Sequence, residues 1–132
     1  MTRFFISPGD PSGIGPEITL KALSKNKDIQ NNFVLAGDKA LYLDLIDRNN
    51  IDLNLIDESS KTKGVIFKHF PLQNQVSLGK PDVANANYII DILSYGSLGC
   101  LKKEFKGLIT GPINKELINE SGFEFSGHTE FL

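Results

Sequence analysis

The strongest constraint on the fold lies in the first 25 residues, where an apolar run, a glycine- and proline-rich loop and a helix start follow one another. Phe4-Phe5-Ile6, within Arg3–Ser7, joins aromatic and β-branched side chains and reads as a buried strand. Pro8-Gly9-Asp10-Pro11-Ser12-Gly13-Ile14-Gly15 reads as a loop. Pro16 and Glu17 then open a helix that runs to about Lys25. Proline suits the first helical turn because its missing N–H would be unpaired there, and glutamate suits the positive helix end. Ile18, Ala22 and Leu23 form the expected inner face.

The same alternation continues. Phe33-Val34-Leu35-Ala36 is a second strand ended by Gly37-Asp38, and Leu41, Leu45 and Ile46 recur at helical spacing between Ala40 and Arg48. Ile51, Leu53 and Leu55 alternate with polar residues, as in a half-exposed strand, and Val65–Phe70 is a further strand closed by Pro71. Asp82 is the expected N-cap of a helix carrying Ala86, Ile89, Ile90 and Leu93, whose pattern Gly96 and Gly99 interrupt. Leu108-Ile109-Thr110 is a short strand stopped by Gly111-Pro112, and a helix spans about Asn114 to Asn119. Strands alternating with helices predict an α/β layered fold. The expected organisation is a first α/β unit over residues 1–107, with residues 108–132 beginning a second unit. Phe131 and Leu132 follow a polar turn as if starting another helix, so the sequence is expected to be the front part of a longer protein.

Composition narrows the function classes. A net charge of −2 with scattered lysines and arginines gives no reason to expect nucleic acid or an anionic membrane as partner. The single cysteine, Cys100, excludes an internal disulfide framework and fits a reducing compartment, so a cytoplasmic location is expected. The first residues are too quickly broken by Pro8 and Gly9 for a signal peptide, and no apolar run approaches the roughly 20 residues needed to span a bilayer.

Three segments carry chemistry. The Gly9–Glu17 loop joins a strand to a helix, where backbone N–H groups and the helix dipole converge on a ligand. It is neither a P-loop nor a dinucleotide fingerprint, because Gly13 and Gly15 give only Gly-x-Gly and Ile18 stands at the third glycine position. Asp10 has two roles open to it, orienting a substrate or capping the turn. Thr110-Gly111-Pro112-Ile113-Asn114-Lys115-Glu116 repeats the strand–turn–helix logic. Lys115 near a helix N-terminus is unfavourable unless an anion sits nearby; a solvated lysine is the alternative. Gly127-His128-Thr129-Glu130 sets an imidazole, a hydroxyl and a carboxylate on consecutive residues. His69, between an apolar strand and Phe70-Pro71, is expected to be structural, and Cys100 an inert thiol. Two histidines and one cysteine make no cluster of metal-ligand spacing.

Taken in order, Gly9–Glu17, Gly79-Lys80 with Ala84-Asn85-Ala86, Thr110–Lys115 and Gly127–Glu130 resemble the 4-hydroxythreonine-4-phosphate dehydrogenase family of pyridoxine biosynthesis. The resemblance implies an isocitrate/isopropylmalate-dehydrogenase-like layered fold, incomplete in this chain. It implies NAD or NADP as hydride acceptor and a divalent metal (zinc, magnesium or cobalt), with a homodimer for the full-length protein. The implied reaction oxidises 4-phosphohydroxy-L-threonine, a small phosphorylated amino acid. Decarboxylation then gives 3-amino-2-oxopropyl phosphate on the way to pyridoxal 5′-phosphate. His128 and Thr129 inherit substrate binding; Lys115 and Asp10 are carried over as residues of the same cleft without an assured role. The metal ligands and most nicotinamide contacts of the family are expected downstream of Leu132. No catalytic, cofactor or metal residue is therefore assigned in this segment, and the segment alone is expected to be inactive. The alternatives are a dehydrogenase of a related phosphorylated hydroxy acid, such as threonate or erythronate 4-phosphate, and a non-catalytic short binding module. A phosphate acyltransferase, which shares the broad fold, is more distant.

Overall fold

The computed structural model describes residues 3–113, 115–120 and 122. Its elements are β1 (Arg3–Ser7), α1 (Gly15–Ser24), a 3-10 turn (Gln30–Asn32), β2 (Phe33–Gly37), α2 (Lys39–Arg48), β3 (Leu55–Ile56) and β4 (Val65–His69). A second 3-10 turn (Val83–Asn85), α3 (Ala86–Leu101), β5 (Phe105–Thr110) and α4 (Lys115–Glu120) complete the order. The five strands form one sheet in the order β3-β4-β2-β1-β5, and every pairing is parallel. This is the α/β layered fold expected from the alternation.

A parallel sheet is covered on both faces, and successive strand residues divide between them. In β1, Phe5 joins the core made by Ile89, Ile92 and Leu93 of α3, while Ile6 joins the opposite core with Leu20 and Leu23 of α1 and Tyr42 and Leu45 of α2. In β2, Ala36 and Leu35 divide in the same way. Burying side chains of this size stabilises the fold by about 1.5–3 kcal/mol each.

The strand order fixes where a ligand crevice opens. From β1 the chain crosses by α1 to β2 on one side, and α3 later delivers it to β5 on the other side of β1. The strand order therefore reverses between β1 and β5, and in open α/β sheets ligands bind outside the carboxyl ends at such a point.

Several expectations need correction. Ile18 is 54% exposed and Ala22 is also exposed; Leu20 and Leu23 form the inner face of α1 together with Pro16. Leu20 and Leu23, three residues apart, share a face with Pro16, whereas Ile18 lies on the opposite side of a 3.6-residue turn. Of the Ile51–Leu55 strand only β3 forms. The preceding backbone closes α2 instead: Ile51 N–H donates to Ile46 O at 3.0 Å after Asn50, which takes a left-handed φ of 50°. Leu53 is buried nonetheless. Asp82 caps the 3-10 turn, its Oδ1 accepting from Ala84 N–H at 2.9 Å, and α3 proper starts at Ala86. Gly96 and Gly99 do not interrupt α3; they lie inside it, buried against aromatic rings. β5 begins at Phe105 rather than Leu108 and is paired to β1 along its length.

Candidate functional site at the strand-order reversal

The loops after β1 and β5 are built into one another. Gly111 N–H donates to Ser7 O at 2.7 Å and Asp10 N–H to Pro112 O at 2.9 Å. The glycines permit this approach. A Cβ on Gly111 would stand 2.1 Å from Pro8 O, and one on Gly15 1.9 Å from the same oxygen. Gly9, at φ +92°, adopts a backbone that side chains disfavour, and a Cβ there would meet Pro112 O at 2.1 Å. Gly79 N–H donates to Ser12 O at 2.7 Å, so the Gly79-Lys80 segment docks on the same loop. Three motifs far apart in sequence thus converge on the carboxyl end of the sheet.

Asp10 is buried and caps the turn: its Oδ1 accepts from Ser12 N–H at 2.8 Å and from Ser12 Oγ at 2.7 Å. This is the second of the two roles open to it from sequence. Asp10→Ala leaves both Ser12 donors buried without their acceptor, so it is expected to cost about 1–3 kcal/mol in urea unfolding. Asp10→Asn, which keeps an acceptor oxygen, is expected to restore most of that stability. Equal losses in the two variants would show that the loop does not depend on this acceptor.

Lys115 is the first residue of α4, exposed and without an ion pair among the described residues. It follows the β5 turn and so stands at the carboxyl end beside the β1 loop. His128 and Thr129 lie outside the described residues.

Asp38 is the residue that sequence reasoning passed over. It caps α2, with Oδ1 accepting from Leu41 N–H at 3.1 Å, and its Oδ2 accepts from Leu72 N–H at 2.8 Å. Its own N–H donates to Tyr88 Oη at 2.8 Å. Its carboxylate therefore ties the start of α2 to the segment after β4, and its main-chain N–H ties the end of β2 to α3. Burial pushes the Tyr88 hydroxyl well above the usual tyrosine range, so it stays neutral. An aspartate immediately before a helix pattern was the available signal. His69 is exposed, and its Nδ1 accepts from Lys39 N–H at 3.0 Å, a structural contact at the start of α2. Desolvation raises the Cys100 thiol, which disfavours the reactive thiolate.

Among the described residues no three His, Cys, Asp or Glu side chains are grouped to hold a metal ion. The loop glycines do not form a dinucleotide cradle either. The space beside Gly9 and Gly111 is filled by backbone of the adjoining loop and that beside Gly15 by Pro8 of its own loop; of the β1-loop glycines Gly13 alone has room beside it. A broad groove of about 680 Å³ lies at the opposite, amino-terminal end of the sheet, lined by Arg3, Lys27, Asp28, Asp52 and Glu58 among others. Two ion pairs cross its lining, Lys27 with Asp52 and Arg3 with Glu58. No helix among the described residues is long and apolar enough to cross a membrane.

Comparisons with known proteins bear on the fold and the family. The family described as pyridoxal phosphate biosynthetic protein PdxA matches residues 28–132. The 4-hydroxythreonine-4-phosphate dehydrogenase of Vibrio parahaemolyticus is 35% identical over 137 residues, which cover 98% of this chain and 41% of that protein. That of Stutzerimonas stutzeri is 34% identical over the same coverage. A solved structure from Salmonella typhimurium, assigned as a 4-hydroxythreonine-4-phosphate dehydrogenase, superimposes with a TM-score of 0.85 at 28% identity, covering 98% of this chain and 43% of the other. The Klebsiella pneumoniae crystal structure shares the fold at a TM-score of 0.85 and 24% identity. The chain spans about 41% of the length of the curated relatives it matches. With the family match running across most of its length, the chain belongs to the PdxA family of pyridoxal phosphate biosynthetic proteins.

Proposed function

We propose that this chain supplies one part of an NAD(P)-dependent dehydrogenase that oxidises 4-phosphohydroxy-L-threonine. The oxidised product then loses carbon dioxide to give 3-amino-2-oxopropyl phosphate for pyridoxal 5′-phosphate synthesis. The observation that carries the reading is the convergence of the Gly9–Glu17, Gly79-Lys80 and Thr110–Lys115 segments at the strand-order reversal, in a chain whose relatives bear that enzyme name. In this reading the interlocked loops form a rigid floor. His128 and Thr129 hydrogen-bond the substrate, and Lys115 offers its charge to the phosphate. Holding the reacting carbon in place is the main contribution this part of the chain makes to hydride transfer. The metal and most cofactor contacts belong to the remainder of the family's length, as does completion of the homodimer. The division into a unit over 1–107 and a second begun by 108–132 is part of the same reading, as is a cytoplasmic location.

The test is NADH or NADPH formation by a polypeptide of the relatives' full length that carries this sequence. Turnover is expected with 4-phosphohydroxy-L-threonine, and His128→Ala is expected to lower kcat/KM about 100-fold or more while leaving the unfolding transition in place. Turnover confined to threonate or erythronate 4-phosphate would transfer the reading to that related substrate class. Reduced cofactor from none of these substrates would remove the dehydrogenase reading. The 132 residues alone are expected to produce none.

A further inference from the structure

Asn85 is 3% exposed, and its side-chain amide makes no hydrogen bond to any described residue. It holds the N-cap position of α3 without capping it, whereas Asp38 caps α2 and Asp82 caps the preceding 3-10 turn. An unpaired amide in an interior is costly, because it gives up water and gains no partner. Among the described residues only Ser97 Oγ is both sealed from solvent and unpartnered. The Asn85 amide is therefore not sealed: its stem is covered, and its polar end meets an opening. That opening lies at the carboxyl end of the sheet, because a helix crossing between parallel strands starts there. α4, which begins with Lys115, packs against the Val83–Asn85 turn. The Gly79-Lys80 segment ahead of that turn is docked on the β1 loop.

The charges around the opening favour an anion. The positive end of the 16-residue α3 has no acidic residue in its first turn. Lys80 and Lys115 have no ion pair among the described residues. The carboxylates of the adjoining loops are engaged by donors within the fold, Asp10 by Ser12, Asp38 by Leu41 and Leu72, and Asp82 by Ala84. Glu116 is exposed to solvent. We infer that Asn85 is a specificity-determining residue of the crevice, its side-chain amide N–H donating to a phosphate-monoester oxygen of the substrate at the N-terminus of α3. The inference deepens the function proposed above and rests on it for a phosphorylated substrate. Asn85 moves no proton in this role; it positions the phosphate, and its neutral amide does so without repelling the anion.

The test titrates the 132-residue chain with inorganic phosphate, against sodium chloride at matched ionic strength, and follows the Asn85 side-chain amide by NMR. A saturable shift of that amide is expected with phosphate and not with chloride. Asn85→Leu, which removes the donor, and Asn85→Asp, which sets a like charge against the anion, are each expected to weaken phosphate binding at least tenfold. Because the amide bonds to nothing in the fold, Asn85→Leu is expected to keep or raise the midpoint of urea unfolding. A lowered midpoint, or a leucine variant that fails to fold, would assign the amide to the structure and overturn the inference. So would a phosphate response that leaves the Asn85 amide unmoved or survives both substitutions. These readouts do not depend on cofactor reduction. Phosphate held at Asn85 without turnover would fault the proposed reaction alone, and turnover without phosphate at Asn85 would fault this assignment alone.

Discussion

Replacing Gly111 with alanine is expected to destabilise the chain by about 3 kcal/mol or more, at or above the upper end of the usual cost of overpacking. The added Cβ would sit 2.1 Å from Pro8 O and 2.5 Å from Pro8 C. Both obstacles are backbone, so no rotamer change relieves them, and the Gly111–Ser7 hydrogen bond holds the two segments together at that point. Alanine gains only about 0.4–1 kcal/mol from the reduced freedom of the unfolded chain, too little to offset the clash. Gly15→Ala, at 1.9 Å from the same carbonyl, is expected to behave likewise. The control is Gly13→Ala, whose Cβ would meet Asp10 O at an ordinary 3.5 Å; it is expected to change stability by less than about 1 kcal/mol. Urea unfolding with unchanged m-values measures all three. If Gly111→Ala proves as mild as Gly13→Ala, the loops are not packed as described and the rigid floor of the crevice is lost with them.

That contrast also shows what was legible in the sequence. Glycine and proline density marked both loops as turns, and strand-loop-helix order placed them at carboxyl ends. What the sequence did not disclose is that Gly9 and Gly111 make room for backbone of each other's loop, because those contacts join residues about a hundred positions apart. The strands β1, β2 and β4 were readable since each is a compact apolar run. β3 was not, because alternation in Ile51–Leu55 reports burial of Leu53 beneath a helix end as readily as a ladder. Asp10 was left between two roles by its sequence; a buried carboxylate with two donors on Ser12 assigns it to the turn. The inner face of α1 was misread for a different reason. Ile18 and Ala22 are four residues apart and apolar, which satisfies a helical pattern as well as Leu20 and Leu23 do. Periodicity locates a stripe, and only packing says which stripe faces the sheet.

The helix glycines carry the second large effect. Phe5 is fully buried, with its ring centroid 4.8 Å from Phe105 and 5.5 Å from Tyr95. Gly96 and Gly99 together cost α3 about 2 kcal/mol of helix propensity relative to alanine. They persist because the rings use their space: a Cβ on Gly96 would lie 2.7 Å from Phe5 Cδ1, and one on Gly99 2.3 Å from Phe105 Cδ2. Phe5→Ala is therefore expected to cost about 3–5 kcal/mol, the range for emptying an aromatic site in a packed core. Gly96→Ala alone is expected to destabilise, since Phe5 and Leu108 both stand against the new methyl group. Combined with Phe5→Ala the same substitution has room, keeps its helix-propensity gain and fills part of the cavity. The double variant is expected to be more stable than the sum of the singles by about 0.5–3 kcal/mol, the coupling typical of residues in contact. Urea titration of the wild-type chain and the three variants measures that term. Additivity to within about 0.5 kcal/mol would mean that the ring does not occupy the glycine notch. The close approach of α3 to β1 and β5 would then have some other cause.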